Sequence, residues 1–148
     1  MTFHFPYKHI LNLKEKEKDQ ALLEMSVIVR KREAVMERFH SIDLKRKELL
    51  SQMDSANRQI SIADIQQRNE YQNYLTRMAA DLEEQLRQID EDIISMQAEL
   101  LAKQQEEKTW HHLRDKAFEK YNQLQKKIEQ DAMDEMAAIR YFHQQFSS

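Results

Sequence analysis

The residues best placed to do chemistry in this chain are Glu107, His111 and His112. A glutamate and a histidine four positions apart share one face of a helix, a spacing compatible with metal ligation. His112 diverges from His111 by about 100° on the same helix. No third ligand stands near them in the sequence and nothing suggests an enclosed site, so no metal is assigned. Asp90-Glu91-Asp92 reads as a solvated acidic face. The clusters Arg30-Lys31-Arg32 and Lys45-Arg46-Lys47 read as partners for acidic residues of a second helix rather than for phosphate. With no cysteine there is no thiol chemistry and no disulfide. With no glycine in 148 residues, a phosphate-cradling loop, a dinucleotide fingerprint and a nucleophile elbow are all excluded. General acid–base catalysis needs a pocket that shifts a pKa, and a two-helix rod offers none. Catalytic residues and cofactors are therefore assigned as none, and an enzyme is not expected.

The elements that must carry these residues are long helices. Charged residues make up 33%, Pro6 is the single proline, and Glu, Lys, Gln, Leu, Ala and Met dominate. That composition belongs to coiled coils. Periodicity argues against disorder. One stripe runs Leu11, Lys14, Lys18, Ala21, Met25, Ile28, Arg32, Val35, Phe39, Ile42, Arg46, Leu49, Met53 and Ala56, with ten of fourteen apolar. A second runs Ile65, Arg68, Gln72, Leu75, Ala79, Leu82, Leu86, Ile89, Ile93, Met96, Leu100, Lys103, Glu107, Trp110, Arg114, Ala117, Tyr121, Leu124 and Ile128, with fourteen of nineteen apolar. Between them, Ser61 with Asp64 resembles a capping box, and Asn57 suits a left-handed helix end.

The expected fold class is all-α: a two-helix antiparallel coiled-coil hairpin with helix 2 longer than helix 1. It forms a single domain, 1–148, with a helix over about 8–56, a turn at 57–60 and a helix over about 61–142. Pairing residues whose numbers sum to about 118 puts Ile42 against Leu75, Phe39 against Ala79 and Ile28 against Ile89. It also puts Arg46 against Gln72, a polar layer that penalises slipped registers. Lys14 falls opposite Lys103, and that layer is expected to splay or admit water. Pairing is expected to end near Tyr7 and Trp110, with Phe3, Phe5 and Tyr7 stapled onto Trp110. Beyond it, a tail keeps an apolar stripe including Phe118, Tyr121, Leu124, Ile128, Met136, Ile139 and Phe142, which calls for an intermolecular partner. Residues 1–59 carry 12 basic and 9 acidic groups, and the rest 11 and 17, which favours folding one half on the other. The net charge of −3 gives no reason to expect nucleic acid. No run of about 20 apolar residues is present, so direct membrane insertion is not expected.

Three stretches carry a family resemblance. Phe3-His4-Phe5-Pro6-Tyr7 followed by Ile10 to Ala21 resembles the opening of the FliJ family of flagellar export proteins. Tyr71-Gln72-Asn73-Tyr74-Leu75 is similar to a cluster the family carries just past its turn. Met133-Asp134-Glu135-Met136-Ala137 with Arg140-Tyr141 is similar to the family's C-terminal signature. The resemblance implies a stalk-like coiled coil of the type III export apparatus, located in the cytoplasm and peripheral at the cytoplasmic face of the membrane at the flagellar base. It implies contact with the hexameric export ATPase FliI, the export gate FlhA and export chaperones, and a monomer when free. It places Tyr71, Tyr74 and Met78 on the gate side. It places Tyr121, Leu124, Ile128, Asp134, Glu135, Met136 and Tyr141 on the ATPase-ring side. Two alternatives stay open: a stalk protein of a virulence type III secretion system, and a coiled-coil holdase or scaffold unrelated to flagella.

Overall fold

A computed structural model describes residues 2–55 and 61–146. Two helices account for nearly all of them: α1, Lys8–Ser55, and α2, Ile62–Phe146. The fold is the expected all-α pair with the second helix the longer. α1 starts where Pro6 has fixed the approach, with Lys8 N–H donating to the Phe5 carbonyl (3.2 Å) and Leu11 N–H to the Tyr7 carbonyl (3.1 Å). α2 starts one residue later than expected because Ser61 caps the helix from outside. Its Oγ accepts from Asp64 N–H (3.2 Å), and its carbonyl accepts from Ile65 N–H (3.1 Å). α2 also continues past the expected end near 142, to Phe146. No glycine or proline interrupts it, and Phe142 packs on Phe146 one turn on (ring centroids 4.5 Å). The turn expected at 57–60, together with Ala56, lies outside the described residues.

The chain divides into two units, one made of Met1–Lys18 with Lys103–Ser148 and the other of Asp19–Ala102. In the second unit the seam is an apolar zipper. Val35, Ile42 and Leu49 of α1 are buried with Leu75, Ala79, Leu82 and Ile89 of α2, flanked by half-buried Ile28, Phe39, Met53, Leu86 and Ile93. Every described residue of the α1 stripe is buried or half-buried, because heptad spacing keeps one face turned to the partner helix. Arg46 and Gln72 are both half-buried within it. Arg32 Nε donates to Asp90 Oδ1 across the helices (2.7 Å), as the basic-cluster reading anticipated. Lys47 instead pairs with Asp43 one turn back on its own helix (3.1 Å). An acidic residue four positions away on the same helix is a ready partner for an exposed lysine.

The first unit is held differently. Its pairing is antiparallel, with Tyr7 on Trp110 (5.9 Å) and Phe3 on Phe118 (5.3 Å) and Tyr121 (5.4 Å). The staple on Trp110 is present, but aromatic cover runs further along α2 than expected. Phe118 and Tyr121 have an intramolecular partner because residues 2–5 are non-helical, and non-helical chain can reach farther per residue than a helix. In the Lys14–Lys103 layer, carboxylates of both helices bridge the two ammonium groups. Lys14 Nζ donates to Glu106 Oε2 (3.1 Å) and sits 3.6 Å from Glu17, while Lys103 Nζ donates to Glu17 Oε2 (3.3 Å) and lies 4.0 Å from Glu106. Two ammonium groups and two carboxylates close a ring, which removes the like-charge repulsion expected of that layer.

Candidate functional site

The residues expected on the gate side lie in the Asp19–Ala102 unit. Tyr71 and Tyr74 follow each other at i, i+3, and their rings stack at 6.5 Å with planes 23° apart. Both are exposed, at 44% and 56%. Tyr71 also rims a shallow groove with Leu49, Asp64 and Arg68. Met78 is placed otherwise: half-buried, it packs on the core zipper and lines a groove with Arg38, Ile42 and Asp81. The two tyrosines thus form one exposed aromatic plate, and Met78 belongs to the seam beside it.

The residues expected on the ATPase-ring side lie along the last part of α2, in the other unit. Tyr121 is half-buried under Phe3. Leu124 and Ile128 are exposed at 56% and 52%, and every described residue from Lys126 to Phe146 is exposed. Stepping about 100° per residue puts Tyr121, Leu124, Ile128, Ile139, Phe142 and Phe146 on one face. Asp134 and Tyr141 fall about 120–140° away from that stripe. Asp134 Oδ1 there accepts from Gln130 (3.2 Å), and the Tyr141 hydroxyl accepts from Gln145 (2.9 Å). Met136 flanks the stripe and shares a shallow depression with Met133, Ala137, Arg140 and Tyr141. Glu135 lies on the stripe and is exposed. Sequence reasoning missed Phe146, which had been placed beyond the helix end. The available signal was its i, i+4 spacing from Phe142.

The third group of interest surrounds His111. Its Nε2 lies 3.1 Å from Glu15 Oε1 on α1 and 3.4 Å from Glu107 Oε1 on α2. Lys18 Nζ donates to Glu107, at 2.9 Å from Oε2 and 3.1 Å from Oε1. The Lys18 hydrogen bond holds the Glu107 carboxyl below the ordinary glutamate range. The Lys14 hydrogen bond does the same to Glu106, and Glu106 in turn raises Lys14. Glu15 is the third side chain that linear spacing could not place beside Glu107 and His111, since 92 residues separate it from Glu107 in sequence.

These features define a two-helix antiparallel coiled-coil protein whose accessible assets, among the described residues, are an aromatic plate and a bare apolar helix face. The family follows from comparison. The model of the flagellar FliJ protein family matches residues 3–146, and the chain belongs to that family, a component of the flagellar export apparatus. Comparisons with curated proteins and with solved structures return no match. Among the described residues no helix is long and apolar enough to cross a membrane.

Proposed function

We propose that the chain is a non-catalytic contact protein of the export apparatus. The late part of α2 engages the hexameric export ATPase FliI, and the Tyr71–Tyr74 plate engages the gate FlhA. The observation that carries this reading is the uncovered stripe of Leu124, Ile128, Ile139, Phe142 and Phe146. Each of these is more than half exposed, in a stretch of α2 where every described residue after Gln125 is exposed. Large apolar side chains sustained on one helix face are a docking surface for another protein. Aromatic residues are likewise enriched at interface cores, which supports the tyrosine plate as a second contact. Escort of export chaperones, monomeric state when free and residence at the cytoplasmic face of the flagellar base belong to the same reading. Family membership supports them.

The test keeps the chain whole, because cutting after residue 112 would strip Phe118 and Tyr121 from Phe3. Full-length chain carrying Leu124→Asp and Ile128→Asp should lose most of its retention by immobilised FliI while keeping its helical circular dichroism. Retention equal to the unaltered chain sinks the tail's role. Tyr71→Ala with Tyr74→Ala should weaken gate binding and leave ATPase binding intact. The competing reading, a scaffold that self-associates through the same stripe, predicts a dimer in sedimentation that the two aspartates return to monomer.

A further inference from the structure

We propose that Glu15, Glu107 and His111 form a binding site for one divalent transition-metal ion, with Zn²⁺ the best-suited species. One donor atom from each of the three side chains lies within 4.8 Å of the other two. The His111 Nε2 separations, 3.1 Å to Glu15 and 3.4 Å to Glu107, are already near the ligand–ligand distance of about 3.4 Å in a tetrahedral zinc site with bonds of roughly 2.1 Å. The donors come from both helices: Glu15 from α1, Glu107 and His111 from α2. All three are partly buried, with side-chain exposures of 40%, 14% and 33%.

Two carboxylates, one from each helix, converge on the single Nε2 of His111, and one cation there would meet the nitrogen lone pair and both carboxylates together. Lys18 Nζ reaches both oxygens of Glu107, at 2.9 Å from Oε2 and 3.1 Å from Oε1, so an ion on Oε1 would leave that ammonium to Oε2 alone.

The donor set selects the ion. Mg²⁺ and Ca²⁺ require six or more oxygen ligands, whereas an imidazole with carboxylates suits zinc and its neighbours. Three protein ligands leave the fourth tetrahedral position to water or to a side chain of a partner.

Zinc titration calorimetry on the untagged full-length chain tests this. One equivalent of Zn²⁺ should bind, and Mg²⁺ should not displace it. His111→Ala and Glu15→Gln should each weaken zinc binding by about tenfold or more, while His112→Ala should match the unaltered chain. Far-UV circular dichroism confirms that the variants are folded, and Glu15→Gln provides a second reading should His111→Ala be perturbed. Because the ion would tie α1 to α2, zinc should also raise the thermal midpoint of the unaltered chain and not that of His111→Ala. Absence of saturable zinc binding would overturn the proposal. So would undiminished binding by His111→Ala, or half an equivalent of zinc accompanied by dimerisation.

Discussion

Leu75 is 1% exposed, the most completely enclosed large side chain described, and Leu124, in the same helix, is 56% exposed. The same residue type therefore does different work at the two positions. Leu75→Ala should cost about 2–4 kcal/mol in urea unfolding, since a lost apolar group and a residual cavity add together. Leu124→Ala should stay within about 0.5 kcal/mol and change partner binding instead. Charge at single residues carries a pH signature. Hydrogen bonds from Lys14 and Lys18 lower Glu106 and Glu107 below the ordinary value of 4.5. A carboxyl lowered in the folded state adds stability above its unfolded value and loses it as pH falls through the folded one. The thermal midpoint should therefore fall as pH drops below about 4.5. Glu106→Gln with Glu107→Gln should flatten that dependence, as a melting series from neutral to acid pH would reveal. Glu106 is 43% exposed and Glu107 14%, so added salt should shrink the Glu106 part of the effect more than the Glu107 part.

At the scale of elements, Ser61 is the side-chain cap described at the start of α2. Ser61→Ala should lower stability by about 1 kcal/mol, and Ser61→Asp should preserve it, because either a hydroxyl or a carboxylate can accept from Asp64 N–H. Chemical denaturation of the two variants side by side makes the comparison. Much of this level was legible in the chain itself. Heptad spacing picked out the α1 stripe residue by residue, because a helix has one periodicity and burial follows it. Charged seam positions were harder. Lys14 opposite Lys103 looked unfavourable when only stripe residues were considered. Glu17 and Glu106, which neutralise the pair, stand three residues beyond each lysine and next to the stripe. Glu15 escaped notice beside His111 because tertiary proximity of a flanking residue depends on rotamers and seam offset, not on spacing. The same limit applied at Phe3, whose reach to Tyr121 belongs to non-helical residues for which periodicity says nothing.

For the molecule as a whole, the two ends of α2 face different circumstances. Its earlier part is half-covered by α1, and its residues from Lys126 to Phe146 are exposed. Helical segments without tertiary contacts open at little free-energy cost. Brief trypsin treatment should therefore cut first at Lys126, Lys127 or Arg140, and mass spectrometry should find Arg32 and Arg46 uncut at that stage. Saturating FliI should delay the early cuts if it occupies the stripe. Equal cleavage rates with and without FliI would argue that another molecule covers it.

Inside a cell, such an unguarded end also becomes a degradation handle. On the docking proposed above, a chain without its counterpart would be open to housekeeping proteases and an assembled one would be shielded. Its standing amount would then follow how many assembly platforms are available to receive it. A bacterium could thereby keep stoichiometry in step with construction without any transcriptional feedback.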